Sequence, residues 1–511
     1  MELNYKKLQN GSDIRGIAMD GVEGEDKNLG REETQNLTAG FVLWLCEKTG
    51  KSSDKLCISV GRDSRLTGEI LQGAALETLS KAGVKALNCG MASTPAMFMS
   101  TVFDEYSCDG AIMITASHLP FNRNGFKYFD CNGGLNKEDI SKIIEFAQSP
   151  EEIKKNKSFN TNEEKMPLKV DLMDTYSSFL RKKIIHEVAD PENREKPLKN
   201  LKIVVDAGNG AGGFYAKKIL APLGADISAS QFLEPDGNFP NHQPNPENKE
   251  AMDSISRQVI SSGADLGIIF DTDVDRSSAV DGNGKEISRN RIVAMAAALI
   301  ARKHPGTTVV TDSITSDQLT YYLEQCLGLK HLRFKRGYKN VINKSIELNS
   351  KGIDSQLAIE TSGHAAYKEN YFLDDGAYLA TKIVIKAAQL ARQGVKIDVI
   401  LSSLEEPVEA REWRFPISAE DFGQYGQKIL DDLKTWALNK EKANHGVKLI
   451  EPNYEGVRIA FDCPDVQGWC LLRKSLHDPI LPLNVEVTRG SCQTILEQIK
   501  EFLSDYDKVK I

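Results

Sequence analysis

No two of the nine cysteines in this 511-residue chain are spaced as a C-x-x-C pair. That pattern supplies neither a zinc site nor a disulfide framework. Cys46, Cys57, Cys89 and Cys108 fall on apolar segments, where buried free thiols and hence a reducing compartment are expected. Long hydrophobic runs are missing too. The apolar stretch 292–301 is about half the length that crosses a bilayer, and the first seven residues lack the apolar core of a signal peptide. Nor is there a basic excess: 64 Lys and Arg stand against 72 Asp and Glu, a net charge of -8. A cytoplasmic protein with neither nucleic acid nor membrane as partner is expected. No oligomerisation signal is present, so a monomer or homodimer is expected.

What remains is an ordinary globular composition, 41% hydrophobic and 27% charged, on a chain long enough for about three or four domains. Apolar strand-like runs alternate with helical periodicity through most of its length. A helix over 34–49 stops at Gly50. A strand at 56–60, a helix to Ala82 and a strand at 84–88 then form a right-handed strand-helix-strand unit. The pattern predicts alternating α/β units over 1–170, 171–300 and 301–412, followed by an α+β domain (413–511). The polar stretch 149–169 reads as a loosely ordered insertion.

Chemistry-bearing residues sit just past the predicted strands, where open α/β sheets place their sites. The run Gly110-Ala111-Ile112-Met113-Ile114 leads into Thr115-Ala116-Ser117-His118-Leu119-Pro120, and Ser117 is the candidate phosphoryl carrier. Arg15 lies in a glycine-flanked loop, and Lys127 follows the turn Asn122-Arg123-Asn124-Gly125. The strongest signal is Asp271-Thr272-Asp273-Val274-Asp275-Arg276 after a buried strand. Three carboxylates at alternate positions would repel unless a cation held them, and hard oxygen donors favour Mg²⁺. Arg276 would balance those carboxylates or face a phosphate. The bunched Glu360-Thr361-Ser362-Gly363-His364 offers groups to read hydroxyls and move a proton. Gly208, Gly210 and Gly213 meet dinucleotide-binding spacing, but no convincing ribose-binding acid follows, which favours a tight turn.

In this order the motifs resemble the α-D-phosphohexomutase superfamily over nearly the whole chain from Asp13. Gly468-Trp469-Cys470-Leu471-Leu472-Arg473-Lys474-Ser475 is similar to that family's phosphate loop. The resemblance implies three related mixed-sheet α/β domains and a C-terminal α+β domain around a cleft, and a phosphohexomutase interconverting hexose 1-phosphate and hexose 6-phosphate, of glucose, mannose or both. Ser117 would be phosphorylated in the resting enzyme, with Mg²⁺ on Asp271, Asp273, Asp275 and a phosphoserine oxygen. A hexose 1,6-bisphosphate would be intermediate and activator. His118, Arg15, Lys127 and His364 would join Ser117 in catalysis. Arg276, Lys339, Glu360, Ser362, Arg473, Lys474, Ser475 and His477 would hold the sugar phosphate.

Three departures from the family pattern stand out. Leu119 replaces an asparagine, and Thr272 replaces a glycine and so resists a positive φ. Leu476-His477-Asp478 replaces more favourable phosphate-binding side chains. Four other readings stay open at this level: a sugar-phosphate-binding regulatory protein, a phosphoglucosamine mutase, a phosphatase with Asp271 as nucleophile, and an NAD-dependent enzyme.

Overall fold

A computed structural model describes residues 5–149, 153, 164–475 and 478–511. They form two compact units, one of residues 1–299 with 362–400, the other of 300–361 with 401–511.

In the first unit, the strand Cys57–Arg62 runs parallel to both Lys85–Met91 and Gly110–Ile114, while Arg123–Asp130 returns antiparallel to the latter. Every residue of Gly110–Ile114 is buried, which explains its unbroken apolar sequence. The helix Arg31–Thr49 lays Leu37, Phe41, Val42 and Leu45 into this core. Glu33 accepts from the Gly30 N–H at its start, and Gly50 ends it at φ 71°. A second sheet in the same unit pairs Leu266–Phe270 parallel with Ile203–Asp206 and antiparallel with Ser277–Asp281.

In the second unit, Thr308–Thr311 lies between parallel partners Lys330–Arg333 and Leu357–Ile359. A separate antiparallel sheet runs in the order Glu409–Pro416, Ile480–Arg489, Gln467–Leu472, Val457–Asp462, Val447–Leu449. Ile429 and Leu433 of the helix Phe422–Lys442, and Ile495 and Ile499 of Cys492–Leu503, complete its core. Three α/β domains and a C-terminal α+β sheet are therefore present.

Several local expectations change. Arg15 lies in the strand Asp13–Ile17, because residues 14–17 pair with 123–126. Most of the stretch expected to be a loose insertion lies outside the described residues, but Leu168–Lys169 is a strand beside Leu87 and Asn88. Beyond the glycine-rich turn, residues 225–228 make only a single bridge, Lys202 to Asp226. Pro416 ends the strand Glu409–Pro416, so a division at 412/413 would cut that strand. Its place on an edge strand accommodates the missing N–H. Thr272 is not in the positive-φ region, which falls instead on Val274 at φ 69°. All nine cysteines are free thiols.

The glycine-rich turn after Ile203–Asp206 packs closely against other segments of the chain. A Cβ on Gly210 would lie 2.7 Å from the Thr272 carbonyl oxygen, and one on Gly208 would lie 2.9 Å from Pro244. The glycines let other backbone approach, which disposes of the nucleotide reading.

Candidate active site

The first unit gathers the charged centre. Ser117 sits past the end of Gly110–Ile114 at φ 48°, a left-handed conformation that costs a non-glycine residue roughly 1 kcal/mol or more. Thr115 Oγ1 accepts the Ser117 N–H, and Arg65 holds the turn from beneath. The fully buried Arg65 guanidinium donates to the carbonyls of Ser117, Leu119, Pro120 and Arg123, the last three at 2.6, 2.7 and 2.9 Å. Leu119 thus contributes its carbonyl, which any residue at that position would supply.

The Ser117 hydroxyl donates to Asp271 Oδ2 at 3.0 Å and accepts from Arg276 Nη2 at 3.1 Å. Arg276 also bonds Asp271 through Nε at 3.1 Å and donates to His118 Nδ1 at 2.6 Å. His118 is therefore an acceptor at Nδ1. Burial, then the Arg276 charge, push its pKa down to about 3, so it stays neutral.

Asp271, Asp273 and Asp275 place carboxylate oxygens within 4.8 Å of one another, all buried. Lys127, 5% exposed on Arg123–Asp130, reaches Asp273 at 3.0 Å and also bonds Asp275. Burial opposes its charge, but the two aspartates more than offset that and raise its pKa well above the ordinary value. Burial, then the Asp275 charge, push Asp271 far up. Three carboxylates against one lysine and one arginine leave the cluster short of positive charge. Asp273 Oδ1 and Asp275 Oδ1 are buried with no hydrogen-bond partner among the described residues. Buried orphan oxygens on an all-oxygen donor set fit a hard divalent cation.

His364 lies beside this cluster, with Nδ1 at 2.5 Å from Asp374 Oδ2 and 3.9 Å from Asp275. Burial opposes its charge, but Asp374 and Asp275 raise its pKa to about 9. It is a cation at neutral pH, poised as acid rather than base. Ser362 Oγ, on the same loop, is buried without a hydrogen-bond partner among the described residues. Arg15 is more peripheral. It pairs with Asp13 at 2.7 Å and donates to the Thr115 carbonyl at 2.7 Å.

The second unit holds the other predicted residues on separate loops or helix ends. Glu360 is buried and accepts the Gly337 N–H at 2.7 Å. Lys339 stands in the first turn of the helix Tyr338–Ser350. Arg473 follows Gln467–Leu472 with its Nε unpartnered among the described residues, and burial, then the Arg336 charge, lower its pKa. Lys474 donates to the Gly423 carbonyl at 3.2 Å, and Ser475 Oγ accepts the Asp478 N–H at 3.2 Å. Lys335, Arg336, Glu455, Lys474 and Ser475 line a cavity of about 650 Å³. His477 and Leu476 lie outside the described residues.

Sequence reasoning missed Arg65, Asp374 and Thr94, whose hydroxyl bonds Asp273 Oδ2 at 2.5 Å. The charged run Arg62-Asp63-Ser64-Arg65 directly after a buried strand was a usable signal for the first. Nothing local marks Thr94.

Fold and centre together define a multidomain α/β protein with a serine set against a buried carboxylate cluster. The chain matches the phosphoglucomutase/phosphomannomutase α/β/α domain I over residues 6–154, domain II over 174–284 and domain III over 288–407. A phosphomannomutase/phosphoglucomutase of Pseudomonas putida is 30% identical over 480 residues, 91% of each chain. One from Pseudomonas aeruginosa is 27% identical over 96% of this chain and 92% of its own. A solved phosphoglucomutase/phosphomannomutase family protein from Burkholderia thailandensis superposes at TM-score 0.75 and 26% identity, over 97% of this chain and 96% of that one. This chain belongs to the phosphoglucomutase/phosphomannomutase family. No described helix is long and apolar enough to cross a membrane.

Proposed function

We propose that the protein is a phosphohexomutase that interconverts hexose 1-phosphate and hexose 6-phosphate, of glucose, mannose or both, through a phosphoserine at Ser117. The observation that carries this reading is the Ser117 hydroxyl bonded at once to Asp271 and Arg276 beside two orphaned carboxylate oxygens. Asp271, Asp273 and Asp275, with an oxygen on Ser117, would hold Mg²⁺, which when bound neutralises charge on the transferring group.

The chain's own groups do the rest. A sugar hydroxyl oxygen bonds to phosphorus as the Ser117 Oγ–P bond breaks, and the hydroxyl proton ends on Oγ. Phosphoryl transfer is loose, so positioning and charge matter more than a strong base. Arg276 donates to the Oγ that gains charge, and Lys127 offsets the carboxylates around it. The imidazolium of His364, held by Asp374, offers positive charge and a hydrogen bond to an oxygen gaining charge, without giving up its proton. His118 stays neutral and orients Arg276. Arg15 braces the Thr115 carbonyl at the root of the serine turn. The resulting hexose 1,6-bisphosphate turns over and returns its other phosphate to Ser117. Glu360 and Ser362 read sugar hydroxyls. Lys339, Arg473, Lys474, Ser475 and His477 grip the phosphate that is not reacting. The nine free thiols support a cytoplasmic setting.

The test is a mutase assay with Mg²⁺ and a trace of hexose 1,6-bisphosphate on glucose 1-phosphate, mannose 1-phosphate and glucosamine 1-phosphate. Conversion of the glucose or mannose ester to its 6-phosphate is expected. Conversion of glucosamine 1-phosphate alone would reassign the substrate. No conversion by folded protein would overturn the reading.

A further inference from the structure

The glycine-rich turn holds no nucleotide, yet it stands at the junction of two structures that matter to Ser117. On one side the Ala211 N–H donates to the Thr272 carbonyl of the aspartate loop at 2.8 Å. On the other it holds the segment Asp236-Gly237-Asn238-Phe239-Pro240-Asn241-His242-Gln243-Pro244-Asn245. The Asn209 carbonyl accepts the Asp236 N–H at 2.8 Å, and Asn209 Oδ1 accepts from Asn241 at 2.8 Å.

The tightest tie is His242 with Asp206, both buried. His242 Nε2 lies 3.0 and 3.1 Å from the two Asp206 oxygens, and Nδ1 lies 2.9 Å from the Gln243 carbonyl. Both ring nitrogens face acceptors, so both carry protons and the ring is an imidazolium. Burial opposes that charge. The Asp206 hydrogen bond and charge, with a smaller contribution from Glu250, offset it and raise the pKa. Asp206 also accepts from the Gly208 N–H at 2.8 Å and from Gln231 at 2.7 Å.

Beyond this anchor the segment reaches the serine turn at three places. Gln243 Nε2 donates to the His118 carbonyl at 2.8 Å. Asn245 Oδ1 accepts from Arg276 Nη1 at 3.3 Å, with Glu247 3.7 Å from the same nitrogen. The Phe239 ring lies 5.3 Å from the Arg65 guanidinium, and Gly237 is so close to the Arg65 backbone that a Cβ would meet it at 3.0 Å. Arg65 and Arg276 are the two cations that fix the Ser117 turn and its Oγ.

We propose that residues 236–247 form a positioning strap. The Asp206–His242 ion pair anchors it, and Gln243 and Asn245 set the backbone of His118 and the aim of Arg276. These residues touch no substrate. They act through His118 and Arg276, and the proposal rests on the phosphoserine reading above. A group misplaced by about 1 Å costs a reaction of this kind up to about a hundredfold, so a strap holding two neighbours of the nucleophile has leverage on kcat.

Gln243 is exposed, so its replacement spares the core. Gln243→Glu keeps the shape but removes the donor and turns an anion toward the His118 carbonyl. Gln243→Ala removes the contact. In the full-length protein kcat is expected to fall about tenfold or more in Gln243→Glu and less in Gln243→Ala, with KM changed less than twofold and Tm unchanged. Equal activity in both variants and wild type would overturn the strap while leaving the mutase reading intact. So would a loss carried by KM and Tm. The ring ¹⁵N shifts of His118 report the same positioning without turnover. A changed Nδ1 shift in Gln243→Glu supports the strap, and identical shifts in variant and wild type overturn it even if the wild type proves to be no mutase.

Discussion

The two units treat charge in opposite ways. In the first, Ser117, Lys127, Asp271, Asp273, Asp275, Arg276 and Asp374 are all buried and joined by one network of ion pairs and hydrogen bonds, with His364 at its edge. In the second, Lys339, Glu360, Arg473, Lys474 and Ser475 stand on separate loops or helix ends, and Glu360, Lys474 and Ser475 bond backbone groups. The difference teaches a division of labour. Transfer chemistry demands atoms fixed before the substrate arrives, since buried dipoles and charges then need no reorganisation. A ligand that must be held in two orientations is better served by dispersed donors that accept either end.

Four substitutions or treatments would break or sharpen that contrast. The largest effect belongs to Ser117→Ala. It removes the proposed phosphoryl carrier, and mutase activity should fall by about 10⁴-fold or more, with no ³²P retained on the protein. Activity close to wild type would move the nucleophile to Asp271. Chelation by EDTA comes next, with a fall of about a hundredfold or more that added Mg²⁺ reverses. Continued turnover in EDTA would mean that Lys127 and Arg276 alone balance the three carboxylates.

A change in the second unit should act differently. Arg473→Ala is expected to raise KM about ten- to a hundredfold through loss of charge-assisted hydrogen bonds, leaving Ser117 labelling by hexose 1,6-bisphosphate intact. A fall in labelling equal to that of a first-unit variant would erase the proposed division.

The smallest effect concerns stability. Burial, then the Asp317 charge, push the Glu486 pKa up to about 7, although Arg458 works the other way. A carboxyl with a raised folded pKa binds more protons when folded than unfolded. Stability is therefore expected to decline as pH rises from the unfolded value near 4.3 through about 7, by roughly 1–3 kcal/mol. Glu486→Gln should flatten that decline in thermal melts between pH 5 and 8. An unchanged slope would show that Glu486 ionises freely.

Much of this was legible from one dimension. Apolar runs such as Gly110–Ile114 and Leu266–Phe270 announced buried strands, and the residues just after them meet in the candidate site. The spacing of Asp271, Asp273 and Asp275 marked a buried carboxylate cluster able to hold a cation, because alternate carboxylates after a strand end cannot avoid one another. The glycine spacing after Asp206 misled only in part. It signalled close backbone approach, but what approaches is Thr272 on one side and Pro244 on the other.

Local pattern, then, determined which segments become strands and helices, and which short loops carry chemistry, because those depend on the alternation of apolar and polar side chains over a few residues. The tertiary structure alone decided the partners. Nothing near Lys127 in sequence says that it meets Asp273 and Asp275, 146 and 148 residues away. Nothing near His364 says that Asp374 keeps it charged, and nothing near Arg65 says that it spans four carbonyls of the serine turn. Charge state and aim come from burial and neighbours, and those exist only once the sheets have packed.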